Sequence, residues 1–435
     1  MFNYNNNYYT ATMHPAPPRP ALVGNAQADV CIVGAGLAGL STAWELLSRG
    51  KSVVLLEAGR VAWGASGRNG GFVLQGWSEG LGAIERRCGK STAAALFKLS
   101  LEGVDIVRDI ISRHRLPGCA PTPGKLSVIR YDDADNLRRT RDTMAKDFDF
   151  HLDYLDRHEV RDKLKTDRYF QGLRDTHGFH FHPLNYCLGL AGLVEQSGGR
   201  IHEQSAMISV ERRDRGHRVV THNGTVDCGD VVYCCGGYGG PEFGPLRRAF
   251  LPIATYAVLT ERLGPRLAAA VNTTDAVGDN RRASDYYRIV DGDRLLWGGR
   301  ITTKNLQDEK RLGQLLTADI LDVYPQLQGI GIEKAWSGLM GYARHKMPHI
   351  APLGTGLWAC TSFGGHGMNT APVGGRVIAE AICGETDRYR LFEAYGLEWN
   401  GGPLGPAAAQ TVYAGLKIMD FFQETRSQRK VGNHR

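Results

Sequence analysis

A chain of 435 residues, 42% of them hydrophobic, is too long for one small core and ordinary in composition for a globular protein; two or three cores of roughly 100–200 residues, or one large composite, are expected. The formal charge of +7 is scattered over short clusters such as Arg86-Arg87, Arg138-Arg139 and Arg281-Arg282, and no basic block carries interleaved aromatics. Nucleic-acid binding is therefore not expected, and a mild attraction for anionic substrates or membrane surfaces is all the charge supports.

No apolar run approaches the roughly 20 residues that span a bilayer, so no integral membrane span is expected. The fourteen histidines are scattered and no HExxH or paired Cys/His spacing occurs, so no metal is expected. Nine cysteines form an odd set without CxxC, and Cys31, Cys234, Cys235 and Cys360 lie within apolar runs. Cysteines used as small buried hydrophobes fit a reducing, cytoplasmic location.

In chain order, residues 1–25 read as an Asn- and Pro-rich arm, "MFNYNNNYYTATMHPAPPRP", without the order of a secretion signal; it is expected to wrap the surface or stay mobile. Asp29–Val33 is a short apolar strand. Leu37–Arg49 has helical periodicity, with Leu40, Ala43, Trp44 and Leu47 on one face, and Gly50 stops it before a second strand, Ser52–Leu56. This βαβ unit starts a parallel sheet. A glycine-dense loop follows, then a long helix from Ser91 to about Arg113. Residues 119–174 mix short strands ("GKLSVI") with charged helices ("DADNLRRTRDTMAKD"). Leu184–Gln196 reads as a helix, and "GGRIHE" as a short strand. Hairpins then lead to a buried strand, Asp230–Cys234. From Leu251 to Trp336 the pattern is strand-rich, with an Asp-Gly-Asp turn inside "DYYRIVDGDRLLWGGR". The segment "GLWACTSFGGHGMNTAPVGGRVIAEAICG" repeats the strand–glycine–helix order. A last helix, Pro406–Phe422, is expected to carry a continuous apolar stripe. No short internal repeat stands out.

Nucleotide-type grammar thus recurs at the start, middle and end of the chain. The expected organisation is a discontinuous nucleotide domain (26–115, 181–248 and 344–435, the last with the C-terminal helix) and a second domain built from insertions (116–180 and 249–343).

Gly34, Gly36 and Gly39 form GxGxxG between the first strand and first helix. The first glycine permits the tight turn, the second admits a pyrophosphate to the backbone, and the third lets helix pack on strand. The helix N-terminus favours an anion. Glu57 ends the next strand, where a carboxylate accepts hydrogen bonds from an adenosine ribose and would repel the extra phosphate of NADP. In the loop Gly64-Ala65-Ser66-Gly67-Arg68-Asn69, small residues and a hydroxyl suit close approach to phosphate and flavin, and Arg68 is placed to neutralise phosphate charge.

These motifs, "DVCIVGAGLAGLSTAWELL" and "VVLLEAGRVAWGASGRNGGFV", resemble the FAD-dependent amine and amino-acid oxidases of the D-amino-acid-oxidase and glycine-oxidase superfamily, and within it the gamma-glutamylputrescine oxidases. The likeness continues through "NYYTAT", "DYYRIVDGDRLLWGGR", "TSFGGHGMNTAPVGGRVIAEAICG" and "DRYRLFEAYGLEW", nearly the whole chain. It implies an α/β fold: a discontinuous Rossmann-like FAD domain with an antiparallel-sheet α+β substrate domain. It implies FAD contacts at Gly34, Ala35, Gly36, Gly39, Glu57, Ala58, Ala65, Ser66, Arg68 and Asn69. Further contacts fall near Met207 for the adenine, at Gly236 in "DVVYCCGGYG", and at Gly365, His366, Gly367 and Met368 against the flavin ring.

Where glycine-oxidase-type relatives place a carboxylate-clamping arginine after W-x-G-L, this chain has Met340, with Trp336 opening that motif and Arg344 nearby as a displaced clamp. A thioether makes no bidentate bond to a carboxylate. That departure implies an amine without a carboxylate beside the reacting carbon. The expected catalytic group is His366, Met340, Trp336 and Arg344. Tyr256, Tyr286, Trp297, Trp336 and Tyr342 are candidate pocket aromatics, and Arg288, Arg300 or Arg344 candidate partners of a distal carboxylate. The expected reaction is oxidation of a gamma-glutamyl-polyamine or similar amine, with O2 as acceptor. Its rivals are a D-amino-acid or cyclic-imino-acid dehydrogenase passing electrons to a quinone, and a flavoprotein holding FAD only as a structural element. Oligomeric state stays open.

Overall fold

The computed structural model describes residues 4–282 and 284–432. The apolar run at Asp29–Val33 is the inner half of a longer strand, Gly24–Val33. Its polar outer half escaped an apolar criterion; pairing with Gly224–Tyr233 makes it a strand. Parallel neighbours extend this sheet to Val53–Leu56 and Arg200–His202 on one side, and through Gly224–Tyr233 to Leu357–Thr361 on the other. His349–Gly354 closes that edge antiparallel. The register aligns Leu56, Val33, Tyr233 and Ala359, so the chain leaves four adjacent strands at the same carboxyl edge. In open parallel sheets, that edge is where ligands bind.

Alternation along the strands splits their side chains between two cores. Val30, Ile32, Val53 and Leu55 pack under helices Leu37–Leu47, Lys90–His114, Pro183–Gln196 and Gly367–Cys383, whose Leu40, Leu96, Leu184 and Val373 are wholly buried. Cys31, Val33, Val54 and Leu56 face the other way, onto Met207, Val219 and Phe250. Helices Leu37–Leu47 and Gly367–Cys383 touch through Gly375, where an added Cβ would lie 2.6 Å from the Thr42 amide.

A second sheet runs in the order Ile332–Ala343, Phe250–Thr260, Arg294–Thr302, Tyr286–Val290, Ala276–Asp279, Thr122–Val128, Gly172–His180 and Phe72–Val73. Phe72–Val73, from the stretch expected in the nucleotide domain, pairs here with His180 and Phe179. One face of this sheet packs Tyr256, Tyr287, Trp297 and Ala335 against Leu312, Leu316 and Ile320 of helix Glu309–Val323. The opposite face turns toward the nucleotide sheet.

The N-terminal arm is docked. Asn7 and Thr10 cap a one-turn helix, Tyr8–Ala11, and Tyr9 is fully buried. The Tyr4 hydroxyl donates to Val61 O at 2.7 Å and the Tyr8 hydroxyl to Asp291 at 2.9 Å, so the arm straps both sheets. Beneath it lies Arg288, buried without an ion pair among the described residues, donating to Gly70 O, Phe181 O, the Tyr9 hydroxyl and His180 Nδ1. Burial and that guanidinium push His180 and His182 down to about 4 from an ordinary 6.5. Above pH 6.5 both are neutral folded or unfolded. Between 6.5 and 4 the unfolded chain takes up more protons, so stability falls as pH falls through that window. At about 1.4 kcal/mol per pKa unit, the loss approaches a few kcal/mol by pH 4. Urea midpoints are expected to drop between pH 7 and pH 5, and His180→Gln should flatten the drop.

The final helix runs Gly405–Gly432, well past Phe422. The apolar residues of its stripe face outward: Val412, Ile418, Met419, Phe421 and Phe422 are all more than half exposed, while Asp420 is buried. Spacing alone cannot tell which side of a helix meets the core; here polar anchors decide it.

Candidate flavin site

The first corner is built so that one glycine faces outward. Gly34 has φ +106°, and a Cβ there would meet Cys234 O at 2.8 Å; a Cβ on Gly39 would lie 1.9 Å from Gly34 O. Both are needed by the turn and by helix–strand contact. Gly36 differs: its φ of −77° suits any residue, and only the Ser66 side chain comes near, at 3.0 Å. Its absent side chain keeps the helix start open. Ser66 Oγ accepts from the Leu37 amide at 2.9 Å, and the amides of Gly36, Ala38 and Gly39 have no partner among the described residues.

Glu57 sits beside this corner. Its carboxylate accepts from the Ala35 amide at 2.8 Å and the Gly59 amide at 2.7 Å, and burial pushes its pKa up. Ala58 is exposed at the strand end. Bonds from Ser205 N to Glu57 O and Gln204 N to Gly59 O bring Met207 to the same end, and its own backbone enters no backbone hydrogen bond among the described residues.

The loop after Ala65 spans toward the second corner. Asn69 Nδ2 donates to Ala65 O and Ser66 O and lies 3.2 Å from Met368 Sδ. Arg68 turns away from the Leu37 helix start. Its guanidinium stacks 4.7 Å over Trp63, donates to Ser337 O at 3.3 Å and also to Trp63 O. It is buried, makes no ion pair among the described residues, and its Nε lacks a partner. A buried cation without counter-charge is costly, which makes this position receptive to an anionic group.

The second corner carries the backbone strain. Ser362, Gly364 and Gly365 have φ of +64°, +59° and +82°. Ser362 is fully buried, and its hydroxyl has no partner among the described residues. A non-glycine residue in that region is held by its surroundings, typically at a functional site. Gly236 donates to Thr361 Oγ1 at 3.0 Å, joining the middle turn to this corner. Gly367 and Met368 open helix Gly367–Cys383, with His366 as its N-cap. His366 Nε2 lies 3.2 Å from Leu74 O and 3.1 Å from Gln75 O; two acceptors there place the proton on Nε2, and burial keeps the ring neutral by lowering its pKa.

The second sheet supplies the opposing wall. On strand Ile332–Ala343, Trp336, Gly338, Met340 and Tyr342 share the face toward the corners. Trp336 Nε1 donates to Arg68 O at 2.8 Å, and a Cβ on Gly338 would meet only the Arg68 stem. A Cβ on Gly365 would lie 3.0 Å from both Met340 Sδ and the Tyr342 hydroxyl. Tyr286 lies over Gly298 and against Gly70 and Phe72 on the same side. Tyr256 and Trp297 instead belong to the core under helix Glu309–Val323. Of the arginines, Arg288 is held by the strap, Arg300 pairs bidentately with Asp319 at 2.6 and 2.8 Å, and Arg344 lies exposed past the strand end.

The sheets therefore gather Gly34, Ala35, Gly36, Glu57, Ser66, Asn69, Met207, Gly236 and the Gly365–Met368 turn along one edge, facing Trp336 and Met340. Sequence reasoning missed Ser362, Tyr238, whose hydroxyl accepts from the Leu339 amide at 3.1 Å, and Ser78, which donates to Gly364 O at 2.6 Å. None carries a local signal: each role comes from segments far apart in sequence.

An open anion-receptive helix start, a carboxylate at the end of the neighbouring strand and a strained second corner on one sheet edge are the features of a dinucleotide-binding fold. The chain belongs to the FAD-dependent oxidoreductase family abbreviated DAO, whose model matches residues 29–381. It is 32% identical over 395 residues to gamma-glutamylputrescine oxidoreductase of Escherichia coli, covering 90% of this chain and 92% of the relative. It is also 32% identical over 387 residues to the probable oxidoreductase OrdL of Haemophilus influenzae, covering 86% and 87%. Glycine oxidase from Bacillus cereus shares the fold, with a TM-score of 0.69 at 20% identity over 84% of this chain and 97% of that one. The protein is thus an FAD-dependent oxidoreductase. The amides of Gly36, Ala38 and Gly39, unpartnered among the described residues, the Glu57 carboxylate and the buried Arg68 fit that cofactor.

Proposed function

We propose that the chain oxidises an amine whose reacting carbon bears no carboxylate, of the gamma-glutamyl-polyamine type, to an imine that water converts to an aldehyde, with O2 as final acceptor. The observation that carries this is the composition of the wall beside Gly365. Met340 and Tyr342 stand there, and two candidate carboxylate partners are committed elsewhere: Arg288 to carbonyls and Tyr9, Arg300 to Asp319. The atoms nearest Gly365 on that wall are the Met340 thioether and the Tyr342 ring, neither of which pairs bidentately with an α-carboxylate; the Arg68 guanidinium lies further along the wall, against Ser337 and Gly338. The full-length similarity to a gamma-glutamylputrescine oxidoreductase supports the substrate class.

FAD, when bound, supplies the two-electron acceptor for the amine's α C–H. The chain's own groups do the rest. Ser66 and the open amides of the first corner hold the diphosphate, Glu57 the adenosine ribose, and the amides at the start of helix Gly367–Cys383 the electron-rich edge of the ring. Trp336, Met340, Tyr286 and Tyr342 form an apolar, aromatic wall that excludes water and favours the uncharged amine. His366 acts as a positioning residue: its Nε2–H fastens residues 74–75 to the corner. A distal carboxylate of the substrate finds the exposed Arg344. The cytoplasm suits nine free cysteines.

Anaerobic mixing tests the reading. Gamma-glutamylputrescine is expected to bleach the long-wavelength flavin band, with glycine, D-alanine and L-proline leaving it unchanged; subsequent air should restore the colour and release hydrogen peroxide. Bleaching by an amino acid but not by the amine contradicts the substrate class. Dye reduction without peroxide would replace O2 by a quinone-type acceptor.

A further inference from the structure

Of the ten large apolar side chains that stand exposed among the described residues, eight lie between Leu397 and Phe422. The rest of the surface is nearly free of them, so this is a patch rather than scatter. Helix Gly405–Gly432 carries five of them, with Leu397, Trp399 and Leu404 just preceding it, and the way the helix is fastened explains why they face outward. Its inner side is held by polar contacts: Asp420 accepts from the Arg282 amide at 3.1 Å and pairs with that guanidinium, Gln410 Oε1 accepts from Thr302 Oγ1 at 3.0 Å and the Thr303 amide at 3.2 Å, and Glu424 lies 3.7 Å from Arg130. Its outer side carries Ile418 and Phe422 one turn apart, flanked by Val412, Met419 and Phe421, all exposed. An ordinary surface helix has the reverse arrangement.

We propose that this helix lies on an anionic lipid bilayer, apolar face down, and so docks the enzyme at a membrane surface. Charge selects the occupant. Arg426 follows Phe422 by four residues, on the same exposed face, and the sequence adds Arg429, Lys430 and Arg435. Glu424 is the one acidic residue from Phe421 to the end, and it faces Arg130. A second copy docked by a two-fold axis would set this cationic face against itself. A basic, Phe-containing apolar face is suited to the headgroup region of anionic lipid, where apolar burial and electrostatic attraction add. Among the described residues, no helix is long and apolar enough to cross a membrane, so the contact is one of lying on the surface.

Co-sedimentation of the full-length, FAD-loaded protein with vesicles tests this. It is expected to pellet with phosphatidylcholine vesicles containing phosphatidylglycerol, weakly with pure phosphatidylcholine, and less in high salt. Ile418→Asp combined with Phe422→Asp should weaken binding at least ~10-fold, at unchanged flavin content and melting temperature. Arg426→Glu alone should weaken it about fivefold or more and reduce the salt dependence. Failure of the wild-type protein to pellet at low salt overturns the proposal, as does equal binding by the double variant. A concentration-dependent dimer in sedimentation velocity, abolished by the double substitution and without vesicle binding, assigns the face to a second copy instead. Should the double variant not fold, the Arg426→Glu and salt results decide.

Discussion

Gly36→Val is expected to yield a folded, colourless protein that takes up added FAD at least ~100-fold more weakly than the parent. The three glycines of the first corner do different work. A Cβ on Gly39 collides with Gly34 O at 1.9 Å, so Gly39→Ala should damage the corner itself and lower stability as well as flavin content. Gly36 has an ordinary φ, and a Cβ there meets only the Ser66 side chain, at 3.0 Å, so a larger residue presses on Ser66 and the open amides rather than on the backbone of the strand or turn. What it removes is access to the amides of Gly36, Ala38 and Gly39. Hydrogen bonds to a charged group contribute about 1.5–3 kcal/mol each, and losing two exceeds a hundredfold in affinity. Fluorescence titration of the apoprotein with FAD reads the affinity. Thermal melts without FAD read the fold, and Gly36→Val should lower the midpoint much less than Gly39→Ala does.

Met340→Arg should leave FAD bound but lower kcat/KM for the amine by about two orders of magnitude or more. The Met340 thioether lies at Gly365, where a guanidinium would find no carboxylate on the wall and would stand beside a substrate that arrives as a cation. Removing such a charge from water without a partner costs about 3–5 kcal/mol, and each 1.4 kcal/mol is a factor of ten in rate. The same arginine supplies a bidentate partner for an α-carboxylate. Steady-state kinetics with the amine and with glycine or D-alanine are therefore expected to move in opposite directions. Equal loss on both substrates would show that residue 340 supports packing and does not select between them.

The nucleotide half was legible in the sequence because its chemistry is local. Gly34, Gly36, Gly39 and Glu57 fall at fixed distances along one βαβ unit, and the strand–glycine–helix pattern recurs at Gly365–Met368. What stayed hidden is what the folding brings from afar. The polar half of Gly24–Val33 became a strand through Gly224–Tyr233, and the two residues Phe72–Val73 joined the second sheet by pairing with Phe179 and His180. Aromatic type could not distinguish Tyr286, which faces the corners, from Trp297, which stacks on Tyr287 at 4.3 Å in the opposite core; one residue of register separates them. Arg288 looked like a carboxylate partner, but its donors serve carbonyls and the strap's Tyr9. Ser362 gave no sign of its left-handed backbone, because that conformation is imposed by the turn around it.

A crystal structure of the FAD-loaded protein with an unreactive amine analogue tests the account most directly. The diphosphate is expected on the amides between Gly36 and Gly39, the ribose on Glu57, and the ring against Gly365, with the analogue's nitrogen-bearing carbon between the ring and Met340. Density placing the ring away from the Ser362–Met368 turn, or an analogue held through an arginine on an α-carboxylate, would contradict it.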